Sequence, residues 1–383
     1  MRPGIAGRPT VSVTRASRWR RGVLALAALG LLALPHCAAS WDSSSKVNAL
    51  RVLGVSADRP YALPGEEVTL RMTVHDGLGD PADPASGPRS VQILWLAGCF
   101  DPVGDLYYLC YEDLAAVLAP LAGGAAEGGM SAASGLLQID LALPQSSGVP
   151  DAHAFTFTLP DDIITRRPAP EDSPHYGIAY VFFAACAGTL ALADIQPAEG
   201  AIPSFPVQCL DDGGTPLGPD SFVPGYTQVY AFADGRGNAN PPVDGLALDA
   251  VPVAEDFAQI PVVPACPLTD DERRQPGCWG TAAYEGCQAH RLEALVGAVA
   301  EVDPDGTTGT GAPLREAVWV SYYADRGDIA QDMALVSDSV TGYRAEHATE
   351  WVAPAQAGPA TLWAVVRDQR GGSTVVRRLV RVE

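Results

Sequence analysis

The chain has 383 residues, 45 acidic against 25 basic, and a formal net charge of −20 at pH 7. Six arginines stand before residue 22 with no acidic residue among them, so the remainder of the chain carries a net charge of −26. Such a surface repels nucleic acid and anionic lipid headgroups and excludes both as partners. With 47% apolar and only 18% charged residues, the chain reads as globular and not disordered.

In chain order, Arg2, Arg8, Arg15, Arg18, Arg20 and Arg21 lead into twelve uncharged residues, Val23 to Leu34, rich in Leu and Ala. A basic segment, a short apolar run and small residues after it form a secretory signal. Twelve residues are too few to span ~30 Å of hydrocarbon as a helix, so no permanent transmembrane anchor is expected. The Arg20-Arg21 pair fits a twin-arginine signal poorly, which leaves ordinary secretion. The run closes on LLALPHCAAS, residues 31–40. Leu34, three before Cys37, suits a lipid-attachment motif, whereas Pro35 and His36 do not. A cut after Ala39 is the alternative and would give a periplasmic or secreted protein.

Residues 38–46 are polar and turn-prone and read as a tether. Val47 to Ala57 has a strand's β-branched pattern, and in Val68 to Val74 apolar residues alternate with Thr69, Arg71 and Thr73. Val91 to Trp95 is a third strand. Tyr111 to Leu121 fits a short helix with Leu114, Val117, Leu118 and Leu121 on one face. Tyr176 to Ala185 and Tyr226 to Ala233 are further strands. Turn residues cluster at Gly235 to Pro242, where a domain boundary is expected.

The same order then recurs. Leu292 to Val302 answers the 68–74 strand, Asp303 to Gly306 a turn, and Ala317 to Tyr323 the Trp-bearing strand. Ala360 to Arg367 answers Tyr176 to Ala185, and a hairpin turn at Asp368 to Gly372 leads into Val375 to Val382. With 39 Gly and 33 Pro supplying turns, the fold class is all-β: two tandem sandwiches with loop insertions and one short helix. The expected division is signal 1–37, tether 38–46, a first domain 47–234 with an insertion near 99–150, and a second domain 235–383 with a cysteine-bearing insertion near 265–289.

This order, with a Trp on the third strand and a C-terminal hairpin, resembles the bacterial immunoglobulin-like and polycystic-kidney-disease-like sandwich modules of cell-surface proteins. The stretches LRVLGVSADRPYALPGEEVTL and GNANPPVDGLALD also resemble exported lipoproteins of the myxobacterial kind, a group with no known activity to lend. That resemblance favours lipidation of Cys37.

Seven cysteines come after Cys37, and export makes disulfides the default. Cys99–Cys110 and Cys186–Cys209 are the expected pairs, with one bridge among Cys266, Cys278 and Cys287. Zinc sites use C-x₂₋₄-C pairs or nearby histidines, and here only His290, three residues after Cys287, hints at one.

The six histidines are scattered, and no HExxH, GxSxG, Walker-type or GxGxxG motif is present. His347 and Glu350 form half a metal pair at most; a polar turn before Trp351 is the plainer reading. Asp303 and Asp305 with Gly306 suit a hard cation such as calcium, but the twelfth position of such a loop is Leu314, so an inter-strand turn is preferred. The pairs Asp161-Asp162, Asp211-Asp212 and Asp270-Asp271 read as solvated loop charges. Trp95, Trp319, Trp351 and Trp363 form either a sugar-stacking platform or core, and Trp95 and Trp319 lie in apolar strands.

The expectation is a non-catalytic envelope protein with a structural or adhesive role and no cofactor. Its partner would be an envelope protein or a polysaccharide, and it would meet the membrane only through the lipid. A carbohydrate- or peptide-binding module working through sandwich-end loops is the alternative, and an enzyme comes third.

Overall fold

The computed structural model describes residues 43–80, 83–118, 130–131, 136–142, 153–169, 174–193, 205–273 and 286–383. Two β-sandwiches account for most of it. In the first, a three-stranded sheet (Leu50–Ala57, Glu67–Asp76, His153–Thr158) faces a five-stranded one. The latter runs, neighbour to neighbour, Phe222–Phe232, Tyr176–Cys186, Val91–Phe100, Leu137–Ala142 and Met130–Ser131. Period-two alternation decides what each strand buries. Val68, Leu70, Met72 and Val74 point inward to meet Ile93, Trp95, Ala179, Val181 and Val229. Trp95 lies fully buried, stacked on Phe155 with centroids 5.7 Å apart.

In the second sandwich a five-stranded sheet joins Val251–Pro252, Leu246–Leu248, Ala289–Ala294, Thr349–Val352 and Asp328–Ile329. It faces a six-stranded sheet of Val262–Val263, Ser373–Val382, Gly358–Asp368, Val318–Ala324, Met333–Asp338 and Gly342–Tyr343. The sequence repeat reappears as topology. In both sandwiches an eleven-residue strand, Tyr176–Cys186 or Gly358–Asp368, lies between the Trp-bearing strand and the final strand, antiparallel to each. The hairpin at Asp368 is closed by its own carboxylate, which accepts from the N–H groups of Arg370 and Gly372 (2.8 Å each), with Gly371 at φ 95°.

Several expectations need correction. The 292–302 stretch is not one strand: it ends at Ala294, and Leu295 donates to Gly245 O (2.9 Å) instead of continuing a ladder. Asp303 to Gly306 lies within the strand Val302–Thr307, and the chain reverses at 308–312, where Thr308 N–H meets Ala312 O (2.8 Å). The helix ends at Leu118, with Leu114 and Leu118 buried; Leu121 lies outside the described residues. The insertion near 99–150 is smaller than expected, because Leu137–Ala142 pairs with Val91–Leu96 as part of the sheet. Cys186 and Cys209, expected near the ends of two neighbouring strands, lie in different sheets, Cys209 in the separate hairpin of Thr189–Leu192 with Val207–Leu210.

The segment read as a tether is fastened down where it is described. Lys46 forms a parallel bridge with Ala324 of the second sandwich; Val47 N–H donates to Ala324 O (2.8 Å) and Ala324 N–H to Ser45 O (2.9 Å). Lys46, the chain's one lysine, places Nζ 2.9 Å from Asp270 and 3.7 Å from Asp328. The buried Arg273 guanidinium bonds to the same two carboxylates at 2.7 Å each. Asp270 is therefore part of a bonded network, not a solvated loop charge.

Beyond it, Val47 and Leu53 form a small core with Trp363 and Val365, the outward side chains of the six-stranded sheet. A Cβ at Gly54 would meet Val375 at 3.0 Å, so the absence of a side chain permits this approach. Asn240 in the expected linker bridges both bodies, donating to Ala57 O (2.7 Å) and accepting from Ser373 N–H (2.8 Å).

Candidate functional site

The outward face of the first sandwich's large sheet carries a cluster of aromatic side chains and, beside it, the exposed Val103, Leu106, Leu109 and Tyr226. Along Tyr176–Cys186 and Phe222–Phe232, every second residue faces away from the core. Register sets Tyr226 beside Phe182, Gln228 beside Tyr180, Tyr230 beside Ile178 and Phe232 beside Tyr176. A loop of 3₁₀ turns, Val103–Asp105 and Tyr107–Cys110, followed by the helix Tyr111–Leu118, lies over part of this face. Tyr107 and Tyr111 pack onto Phe182, and the Tyr107 and Tyr226 ring centroids lie 4.4 Å apart.

The loop is held by covalent and polar constraints. Cys99 and Cys110 are joined, with Cα atoms 5.5 Å apart. Asp101 and Asp105 both adopt left-handed backbone, φ 49° and 57°, an arrangement that short polar side chains tolerate when their oxygens are engaged. Asp101 exchanges bonds with Ile178, its N–H to Ile178 O (2.9 Å) and Ile178 N–H to its Oδ1 (2.8 Å). Asp105 accepts from the Tyr176 hydroxyl and the Arg167 guanidinium (2.6 Å each), and its carbonyl accepts from the Tyr180 hydroxyl (2.8 Å).

Environment moves the two carboxyls in opposite directions. Burial pushes Asp101 up, against the Ile178 N–H and the Arg167 charge, and its Oδ2 is buried with no partner among the described residues. Burial also acts upward on Asp105, but the bonds from Arg167 and Tyr176 outweigh it and hold the carboxyl low. Burial pushes the Tyr111 and Tyr230 hydroxyls up to about 12, so both remain neutral donors at pH 7.

The result is a stiff ridge. Val103 is 81% exposed, Leu106 42%, Leu109 45%, and Tyr226 42%. The first three stand on the stapled loop, and the fourth on the sheet edge against Tyr107. Rigid apolar groups held in water at such a ridge suit docking to another surface.

The residues singled out in the sequence lie elsewhere or have structural duties. Besides Cys99–Cys110, the structure joins Cys186 to Cys209 and Cys266 to Cys287. Cys37 and Cys278 lie outside the described residues. The zinc hint dissolves, because Cys287 is in a disulfide and His290 Nδ1 bonds to Asp249 Oδ2 (2.7 Å). The calcium-type oxygens of Asp303 and Asp305 are engaged: Asp303 accepts from Asp305 N–H and Gln369 Nε2 (3.0 Å each), and Asp305 pairs with Arg236. Among the described residues no group of three or more His, Cys, Asp or Glu side chains is arranged to hold a metal ion.

His347 lies in the irregular segment before Thr349–Val352 and is buried there, with Nε2 3.0 Å from Ala294 O. Trp95, Trp351 and Trp363 are fully buried and belong to the cores, whereas Trp319, expected in the core, is half-buried and alternates with the inward Val318, Val320 and Tyr322. The exposed apolar residues of the loop lie in FDPVGDLYYLC at 100–110. Apolar residues between two cysteines, in a segment otherwise reading as loop, were the available signal.

No family model matches the chain, and no curated protein is similar to it. Distant structural likenesses include the native form of Escherichia coli alpha-2-macroglobulin, at 8% identity and TM-score 0.21, covering 88% of this chain. The chain spans 17% of that protein's length. The C-terminal domain of the Streptococcus pyogenes antigen I/II-family protein AspA is matched at 10% identity and TM-score 0.17, over 88% of this chain and 100% of that domain. Three N-terminal domains of the bacteriophage RB49 highly immunogenic outer capsid protein are matched at 11% identity and TM-score 0.18, over 88% and 99%. Scores this low fix no shared fold and lend the chain no activity.

Proposed function

We propose that this chain is a non-catalytic structural or adhesive protein of the cell envelope, exported and held at the outer membrane or cell surface by a lipid on Cys37. The observation that carries the reading is the stapled ridge of Val103, Leu106, Leu109 and Tyr226 on a body of two interlocked sandwiches. Apolar groups kept exposed by a disulfide and a hydrogen-bonded carboxylate hub at Asp105 serve contact better than folding. The leader-like N-terminus and three disulfides support export.

The test is adhesion of cells carrying the protein. Replacing Leu106 and Leu109 by Asp should abolish it while leaving the melting temperature unchanged. Unaltered adhesion in that variant defeats the reading. The anchor is tested by the intact mass of the mature protein from a membrane fraction: two acyl chains on a thioether-linked glyceride at Cys37 support it, and a soluble species starting at Ser40 ends it.

The second reading is a peptide- or carbohydrate-binding module, and the half-exposed Tyr226 ring beside Tyr107 favours it. It differs from the first in the size of the partner, not in the surface used.

A further inference from the structure

We infer that the outer edge of the strand Phe222–Phe232 takes up an extended polypeptide segment as an added strand, with the ridge serving as its side-chain wall. This deepens the adhesive reading by naming the partner's chemistry, and it rests on that reading only for where the protein is displayed.

The strand is the last of its sheet and pairs on one side alone, with Tyr176–Cys186. In an antiparallel pair, alternate residues turn both main-chain groups away from the partner strand. Tyr230 shows which set that is: its N–H donates to Pro60 O (3.2 Å), its carbonyl accepts from Ala62 N–H (2.9 Å), and Tyr61 bridges it in parallel. By the same period, Tyr226 and Gln228 turn their N–H and carbonyl groups to the same edge. Among the described residues no main-chain partner meets them there. Pro224, with no N–H to offer, limits the open row at its start.

An unpaired row of this kind is a template for another strand. The row is already used once by the chain itself at Tyr230, so a guest strand beside 224–228 would continue an existing pairing. Strand addition draws affinity from main-chain bonds and selectivity from alternate side chains. Tyr226 and, across Tyr107, the exposed Leu106 and Leu109 would receive the guest's apolar side chains.

A polypeptide fits better than a glycan. Sugar faces need exposed rings, and of the rings here Tyr226 alone is more than a third exposed, with Tyr107 already against it. The other exposed groups are aliphatic. The net charge of −26 on the chain beyond residue 21 selects a guest without acidic residues.

The experiment is residue-resolved amide exchange on the full mature chain. The probe is a synthetic heptapeptide of alternating Val and Thr with Lys at both ends. In the protein alone, the Tyr226 and Gln228 amides should exchange at least about a hundredfold faster than those of Thr227 and Val229. Probe at about 1 mM should slow the first two about tenfold. Gln228→Pro should remove the effect, and Tyr226→Phe should keep it.

Protection of both amides in the protein alone at every dilution would mean a covered edge and overturn the inference. So would protection that rises with protein concentration alone, protection by a neutral β-glucan oligosaccharide in place of the peptide, or no response to the probe. The unsubstituted protein decides each outcome, so a misfolded variant does not blur it. Loss of cell adhesion on substituting Leu106 and Leu109 remains a separate readout.

Discussion

Tyr322 offers the most exacting test of how the second sandwich is held together. Its side chain is fully buried among Leu292, Val320, Trp351 and Leu362. Its hydroxyl donates to His347 O (2.8 Å) and accepts from Ala294 N–H (3.1 Å), while His347 Nε2 lies 3.0 Å from Ala294 O. The three residues thus close a ring of bonds joining the two sheets and the segment before Thr349–Val352. Burial raises the Tyr322 hydroxyl's pKa well above its ordinary value, so it stays protonated and donating at any physiological pH. Tyr322→Phe keeps the aromatic packing and deletes one oxygen. It leaves one N–H and one carbonyl without partners in a dry core, at about 1–3 kcal/mol for each such group. Allowing for partial relaxation, the expected loss is about 2–4 kcal/mol. At about 2–4 °C per kcal/mol, the melting temperature should fall by roughly 4–16 °C. Urea unfolding followed by tryptophan fluorescence measures this directly, and the midpoint should move with the slope unchanged. A loss below about 0.5 kcal/mol, the size of an ordinary surface substitution, would refute the claim that the ring of bonds carries stability.

Replacing Cys99 and Cys110 together by Ser should cost roughly 2–4 kcal/mol and speed amide exchange throughout 101–110; unchanged exchange there would show that the carboxylate hub alone fixes the loop. Asp105, held below its ordinary 3.8, stabilises the fold above that pH, and the contribution is lost as pH falls through its lower folded value. Asp105→Asn should therefore flatten the acid limb of a stability–pH profile, and removing its charge also takes away one of the weaker influences that raise Asp101, which offsets only part of the flattening; identical acid limbs would contradict this. Gly177→Ala places a Cβ 2.5 Å from Ile163 O, a backbone atom that cannot swing aside, and should cost about 1–3 kcal/mol by chemical denaturation.

The architecture was legible because it is written in patterns of period two. Val68 to Val74 and Tyr226 to Ala233 alternate, and Asp368 to Gly372 carries its turn chemistry in plain view. The repeat was visible for the same reason: a strand buried on both faces, such as Tyr176–Cys186, reads as an apolar run in either copy. What failed were readings that depend on a distant partner. Asp270 looked like a solvated acid because Lys46 lies 224 residues away. Asp303-Pro304-Asp305-Gly306 looked like a turn, but pairing with Pro313–Arg315 drew it into a hairpin arm. The ridge was hidden by the same logic. Leu106 and Leu109 stand exposed on a loop that the disulfide and the Asp105 bonds hold, and no local spacing encodes that.

The parallel bridge between Lys46 and Ala324 also decides how the molecule would bear load. A pull on residue 43 does not reach the first sandwich in sequence order. It enters the second sandwich first, through the bonds of Ser45 and Val47 to Ala324 and the ionic clasp of Lys46. The first sandwich is shielded from tension applied at that end until the clasp gives way. Unloading would begin with the shearing of a few residues, so the chain carries its own mechanical fuse ahead of either core.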